Sequence, residues 1–327
     1  MNRLPIDDRP GDVFTYSTAI GYEDGVSRRD PSPVIRVDSE FHVWYSRARA
    51  DASGDDVSIC HATSADGRHW TGEGEAISCG GPGAWDEQGV CSPTILVAEG
   101  RYFLYYTAAA RAPDSDAGGP DGAATAIGVA LSESPYGPWT RFPDNPVLRP
   151  GEDDLPPVET PGDGRLSLWP EADEVWDSHS VSHACLLVRG GSYWMYYRGR
   201  RKGLSPGETG TGVAIAPHPT GPFEKHRANP VLESGEAVCL WPQRRGVAAL
   251  VAPAAPGGGT LQYSADGIRF VSQAELTPPA CPGPFREDHF APDAWGKGIT
   301  WGLCHNLAAR PEPFLMRFDC DLRAVEW

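Results

Sequence analysis

Apolar and polar positions along the chain repeat one arrangement: a short apolar run, two turn residues, then a longer aromatic-rich run. It occurs at VIRVDSEFHVWYSR (34–47), TILVAEGRYFLYYTA (94–108) and CLLVRGGSYWMYYRGR (185–200). Runs this short, rich in β-branched and aromatic side chains, read as strands. The pairs Ser39-Glu40, Glu99-Gly100 and Gly190-Gly191 read as hairpin turns. A second recurring segment follows each hairpin type: ICHATSADGRHWT (59–71), GVALSESPYGPWTRFPDNPVL (128–148), GVAIAPHPTGPFEKHRANPVL (212–232) and LQYSADGIRFV (261–271). The middle two match down to a Gly-Pro-aromatic triplet and NPVL, at an offset of 84 residues (from 128 to 212).

Hairpin after hairpin, with almost no helix-period segment, predicts an all-β fold, a five-bladed β-propeller. The blades fall near 30–71, 91–148, 182–232, 245–275 and 287–327, the last one closed by N-terminal residues. The competing fold is a β-sandwich with irregular strands; near-repeats at blade length favour the propeller. The chain then reads as a single domain, 1–327, with an N-terminal extension over 1–20. Long loop insertions occupy 109–125 and the acidic, proline-rich 149–175, and loops of that length in a compact domain serve function or lack order.

Composition narrows the function. With 28 Lys and Arg against 44 Asp and Glu, the net charge of −16 disfavours nucleic acid, which needs clustered cations. No apolar stretch reaches the roughly 20 residues of a membrane span, and MNRLPIDDRPGDVF carries no signal-like apolar region. A cytoplasmic location is therefore expected. The eight cysteines are widely spaced with no CxxC, so no metal ligand set is read from spacing, and buried free thiols are expected. The 11 Trp, 11 Tyr and 10 Phe suit strands, and they also suit surfaces on which sugars stack. No GxSxG, Walker loop or strand-linked GxGxxG is present.

In a propeller the residues that open each inner strand face the central axis. Those openings hold Arg29 and Asp30; Trp85, Asp86 and Glu87; Trp176, Asp177, His179 and His183; Glu233, Glu236 and Trp241; and Arg286, Glu287, Asp288 and His289. Tryptophan faces stack on sugar rings and carboxylates bind hydroxyls. Two opposed carboxyls support glycoside hydrolysis, at roughly 6.5–9.5 Å apart for an inverting enzyme. Asp30 and Glu236, on blades one and four, form the candidate pair. Arg29 would hold Asp30 ionised as a base, and the apolar neighbours of Glu236 would keep it protonated as an acid. The competing readings are a turn carboxylate for Asp30, a solvated loop acid for Glu236 and a satisfied core histidine for His183. His289 and His305 carry weaker signals. No cofactor is required; a divalent ion on the axis is admissible, though nothing in the spacing demands one.

The segments SRRDPSPVI, AWDEQGVCSPTIL, VWDSHSVSHACLLVRGGSYWMYYRGR, EAVCLWPQRRGVAALV and LQYSADGIRF resemble glycoside hydrolase family 117 in order and spacing, from about residue 20 to 305. The resemblance implies a five-bladed propeller related to families 43 and 32. It also implies removal of 3,6-anhydro-L-galactose from the non-reducing end of neoagarooligosaccharides, with inversion at an α-1,3 bond. Asp30 matches the family's general base in its RDP motif. His183 in SHAC stands where the family's blade-three strand opens with Asp. The family's acid is a His in a GHE motif before VxxWP. Here the segment is SGEAVCLWP, which aligns Glu236 with that His directly or, one residue shifted, with the motif's Glu. Known members exchange an N-terminal extension between subunits; a homodimer stays open here, and the extension is short.

The expectation is an exo-acting, inverting glycosidase acting on an oligosaccharide. Asp30 and Glu236 do the chemistry beside His183. Arg29, Trp85, Asp86, Trp176, Asp177, His179, Arg200, Trp241 and His289 bind the sugar. Two alternatives accompany it: an arabinofuranosidase-like activity of the wider five-bladed clan, or a sugar-binding propeller without catalysis.

Overall fold

The computed structural model describes residues 13–49, 57–109, 124–152, 175–205, 207–234, 238–252, 258–292, 295–306 and 312–323. Most of the two expected loop insertions, and Glu236, lie outside the described residues.

The first strand among the described residues is β1 (Thr15–Ile20). Blade one contains β2 (Val26–Arg29), β3 (Ile35–Val37), β4 (Glu40–Arg49), β5 (Val57–Ser64) and β6 (Thr71–Ile77). Blade two contains β7 (Val90–Ala98), β8 (Arg101–Ala108), β9 (Ala126–Ser132) and β10 (Thr140–Arg141). Blade three contains β11 (Ser180–Arg189), β12 (Ser192–Arg200), β13 (Thr209–Ala216), β14 (Glu224–Lys225) and β15 (Leu232–Ser234). Blade four contains β16 (Val238–Arg244), β17 (Gly246–Val251), β18 (Gly259–Ser264) and β19 (Val271–Leu276). Blade five contains β20 (Ala280–Pro284); after it β21 (Gly296–Lys297) pairs back onto β16, and β22 (Trp301–His305) and β23 (Leu315–Asp319) complete the chain's part of that blade. Its outer strand is β1, antiparallel to β23 with Thr15 opposite Asp319, so the two ends of the chain close the ring.

The result is the five-bladed propeller, with no helix among the described residues. Blades stack face against face, so both faces of the inner and second strands are covered. That is why β4, β8 and β12 read as plain apolar runs instead of alternating ones. The wedges between blades hold the core. One is built from Val34, Val43 and Tyr45 of blade one against Trp301, Leu303 and Leu315 of blade five. Another sets Leu187, Tyr196 and Val213 against Leu240, Val247 and Ala249.

The turns follow the expected chemistry with one shift. Glu99-Gly100 and Gly190-Gly191 are two-residue turns with both φ positive. The first hairpin turns one residue earlier than expected, at Asp38-Ser39, because Val37 pairs with Glu40. The two SADG segments form the same turn in blades one and four. Asp66 Oδ1 accepts from the amides of Arg68 and His69 at 2.8 Å, as Asp266 Oδ1 does from Ile268 and Arg269. Gly67 and Gly267 have positive φ, and a β-carbon there would press on Trp301 and on Arg189 of the neighbouring blade.

Two inner strands lie earlier than the sequence indicated. Blade four starts at β16, inside the segment read as its opening, and blade five starts at β20, inside PACPGPF. Proline disguises both as loops, and β20 is also kinked at Cys281.

Between blades one and two, His42 Nδ1 lies 3.1 Å from His61 Nε2, with the rings parallel and Trp44 stacked on His61. Burial pushes His61 down to about 3, and His42 adds to the push. A histidine whose folded value is depressed is protonated first in the unfolded chain, so its effect is absent above the ordinary value near 6.5 and grows as pH falls. We expect this residue to cost about 3 kcal/mol of stability at pH 4 relative to pH 7. Chemical denaturation of wild type and His61→Gln at both pH values checks this: the variant loses less on acidification, and parallel losses would refute it.

Candidate active site

An extended strand sends successive side chains to the two faces of its own sheet, not toward the propeller axis. Four of the five inner strands break that alternation at one residue. Asp30, Ser92, His183 and Cys281 have φ of 50°, 49°, 51° and 44°, the left-handed region that non-glycine residues enter at a cost of roughly 1 kcal/mol. Each is followed by a small or rigid residue: Pro31, Pro93, Ala184 or Pro282. At each the ladder to the second strand slips. The register shifts between Cys91 and Thr94, between Ser182 and Cys185, and between Ala280 and Gly283, while in blade one the inner strand is interrupted between β2 and β3. All four side chains enter one pocket on the axis, which Val238 and Cys239 of blade four also line.

The pocket holds a connected polar cluster. Asp30 Oδ2 accepts from Ser46 Oγ at 3.2 Å and lies 3.4 Å from Ser92 Oγ. Ser92 Oγ lies 3.2 Å from His183 Nε2, and the other ring nitrogen of His183 lies 3.1 Å from Ser182 Oγ. The backbone amides of Ser92 and His183 donate to Ser46 Oγ at 2.8 Å and Thr107 Oγ1 at 3.0 Å, which fixes the two kinks. The Asp30 amide donates to His305 Nδ1 at 3.4 Å.

Burial works against the Asp30 carboxylate. His183, His305, Arg29 and a hydrogen bond from Cys281 outweigh it, and the group is held below the usual carboxylate range. The reverse holds at His183: burial pushes the imidazole down to about 4, against the pull of Asp30. At neutral pH the cluster is therefore an ionised carboxylate beside a neutral imidazole. Among the described residues lining the pocket, Asp30 is the only acid.

Not all the candidates gather here. Arg29 is exposed beside Asp30 and acts on it through its charge. Trp85 and Asp86 belong to a structural unit that blade three repeats with Trp176 and Asp177. Trp85 stacks on Tyr106 at 5.7 Å, and Asp86 accepts from Tyr106 Oη at 3.2 Å and pairs with Arg141 at 2.8 Å. Trp176 leans on Tyr197 at 5.7 Å, and Asp177 accepts from Tyr197 Oη at 2.9 Å and pairs with Lys225 at 2.6 Å. Asn145 and Asn229, the asparagines of the NPVL segments, donate to the same two phenols. Gly128 and Gly212 are glycines because each lies under the indole; a β-carbon would meet the ring at 2.6 and 2.5 Å. Both aspartates are 1% exposed, so they tie their own blades together from within and do not face a sugar.

Trp241 is likewise a core residue, 1% exposed, with its indole N–H given to Gln243. Arg200 is buried and donates to the Leu204 carbonyl. His179 is half-buried on the turn entering β11, where its amide donates to Arg200. His289 is exposed in the turn after β20, beyond the inner strand it was expected to open. Sequence reasoning missed Ser46, Ser92, Ser182 and Cys281. The signal for two of them was present: CSP and ACP share with RDP a polar residue before proline at the head of a strand.

The fold is matched among known structures by Zg3597, a family 117 glycoside hydrolase from the marine bacterium Zobellia galactanivorans. The two are 31% identical, with a TM-score of 0.75, over 94% of this chain and 90% of that one. The chain belongs to glycoside hydrolase family 117. It is a glycosidase of the five-bladed type. Its residues 28–158 also match the profile of the glycosyl hydrolases family 32 N-terminal domain. The fold is shared more distantly with fructan 1-exohydrolase IIa from Cichorium intybus (13% identity, TM-score 0.57, 93% of this chain and 57% of that one). It is shared also with an endo-arabinase from Bacteroides thetaiotaomicron (14% identity, TM-score 0.53, 92% and 96%). No curated protein sequence matches the chain significantly. Within family 117 the axial pocket of this member pairs Asp30 with a histidine, His183, on blade three.

Because Asp177 serves Tyr197 and Lys225, Asp177→Ala should lose about 3 kcal/mol in denaturant unfolding, through a phenol without its acceptor and an ammonium without its counter-charge. Its KM for any substrate should stay within about twofold where the protein is folded, as expected when no substrate contact is lost. A large rise in KM at unchanged stability would return Asp177 to the sugar site.

Proposed function

We propose that this family 117 member is an exo-acting, inverting glycosidase. It removes a non-reducing terminal sugar of the 3,6-anhydro-L-galactose type, or a related α-linked residue, from an oligosaccharide. Asp30 is the general base that activates water, and Glu236 is the acid that protonates the leaving oxygen. The observation that carries this reading is the state of Asp30. It is an ionised carboxylate, mostly buried, turned into the axial pocket by a left-handed kink and steadied by Ser46 and Ser92. A base needs a charged carboxylate near neutral pH with a lone pair directed at the reaction volume. His183 beside it is a neutral hydrogen-bonding group that positions a sugar hydroxyl without adding a second negative charge. Arg29 flanks the base and keeps it ionised. The blade-four segment 235–237 borders the strand whose Val238 lines the pocket, which favours Glu236 as the opposing acid.

The test is a release assay with neoagarobiose, neoagarohexaose and a panel of α- and β-linked aryl glycosides, followed by NMR of the first-formed anomer. Wild type should release a monosaccharide of inverted configuration. Asp30→Asn, which keeps the shape and the acceptor oxygen, should lower kcat about 10³-fold. Retention of configuration would exclude the inverting scheme. Release of arabinose alone would move the substrate to the arabinofuranosidase class. Silence across the panel with saturable sugar binding would make the protein a sugar-binding propeller.

A further inference from the structure

We propose that the outer part of blade two carries a second saccharide-binding site, separate from the axial pocket, for a neutral sugar unit of an oligo- or polysaccharide. The choice of a sugar as ligand rests on the glycosidase reading; the cavity does not. Beside β9 and β10 lies a cavity of about 410 Å³, within the range that holds a small molecule. The strand register builds its walls. Leu131 stands opposite Phe103 on one side and Thr140 on the other, and Arg101 and Glu133 lie one step beyond the Tyr102–Ser132 pair. Arg101, Leu131, Glu133 and Thr140 therefore project from one face of the sheet. Arg101 Nε and Glu133 Oε1 are 2.9 Å apart, an ion pair on the rim. Pro138, Phe142 and Pro143 add apolar wall.

The frame of this cavity recurs in blade three, and its lining does not. At the 84-residue offset, Gly137, Pro138 and Arg141 become Gly221, Pro222 and Lys225, the parts that form the turn and pair with the buried aspartates. Glu133, Thr140, Phe142 and Pro143 become Pro217, Glu224, His226 and Arg227. The turn is made either way, so the lining of blade two serves something other than the turn. Its chemistry suits a sugar. A pyranose has an apolar C–H face and a hydroxyl edge; Phe142 and the prolines meet the first, and Arg101, Glu133 and Thr140 meet the second. Hydroxyls both donate and accept, as an arginine beside a glutamate requires. Glu133 offsets the charge of Arg101, and Asp86 that of Arg141, so the site has no surplus cation for a sulfate or phosphate. Tyr136, next to Gly137 in the same turn, is 61% exposed, and its hydroxyl is anchored on Glu40 of blade one, so a fixed aromatic ring stands at the tip of the turn. A polymer offers an exo-acting enzyme few chain ends. A weak second site keeps the enzyme on the polymer and raises the local concentration of ends.

The experiment is native electrophoresis of the full-length protein through gels containing agarose, arabinan or a sulfated galactan. Calorimetry with neoagarohexaose and an arabinan hexasaccharide follows, on Asp30→Asn so that no ligand is consumed. We expect a neutral polysaccharide to retard the protein. Arg101→Ala should weaken that binding by about tenfold, through loss of hydrogen bonds from a charged donor. Thr140→Trp, which fills the cavity from an exposed position, should abolish it. Near-UV circular dichroism identifies any variant that has not folded, and the other then decides. Both variants should keep the rate of release from a small aryl glycoside within about twofold, while KM for a polymer rises, as expected when only a remote contact is lost. Absence of binding to every neutral saccharide, binding that neither variant changes, or retardation by the sulfated galactan alone would overturn the proposal. Binding is read without hydrolysis, so loss of retardation in Thr140→Trp supports the second site even where the release assay is silent, and normal release with no such binding removes this site and leaves the axial chemistry standing.

Discussion

Five strands converge on the propeller axis, yet a regular strand points none of its side chains along that convergence. The functional centre of this protein therefore depends on a backbone conformation more than on any one side chain. A single left-handed residue interrupts the pleat in blades one, two, three and five and rotates one side chain inward. The conformation is unfavourable for residues with a β-carbon, so each kink must be held by its surroundings. The amides at two of the kinks donate to serine and threonine hydroxyls of neighbouring strands. The proline after Asp30, Ser92 and Cys281 removes a donor that the slipped ladder could not pair. Strain in the strand and polarity at the axis are thus one feature: the blades hold the kinks, and the kinks build the pocket.

The electrostatics follow from that concentration. A carboxylate brought into a buried pocket would ordinarily rise in pKa and lose its charge. Here His183, His305 and Arg29 surround it and reverse the direction. The same burial keeps His183 neutral. Two titratable groups about a hydrogen bond apart through Ser92 are thereby driven in ways that separate their roles, one charged and one polar.

Much of the fold could be read in the chain because blades bury both faces. The aromatic-rich hairpins of blades one to three are plain in the sequence, and the near-repeat at an offset of 84 residues marks two blades built alike. The inner strands β16 and β20 were hidden, since both carry proline where a regular strand would not, and β20 also bends at Cys281. The site was legible at Asp30 and His183 and misread at the tryptophan–aspartate pairs. Trp85-Asp86 and Trp176-Asp177 have the composition of a sugar site, but they recur, each with its own tyrosine, asparagine and cation. Residues that recur from blade to blade maintain the blade. The positions that differ between blades, Asp, Ser, His and Cys at the four kinks, are where the chemistry is concentrated.

The pairing of β1 with β23 also sets an order of events during synthesis. Thr15 emerges long before its partner Asp319, so the outer edge of blade five stays unmade until β23 has been translated. Blades one to four are each continuous in sequence and can assemble as they leave the ribosome, N-terminal blade first. Throughout that time β1 has no partner, and β22 and β23 do not yet exist to cover the flank of blade one that Trp301 and Leu303 will bury. The nascent propeller is thus an open arc with one apolar flank exposed, and it becomes a ring only in the final step.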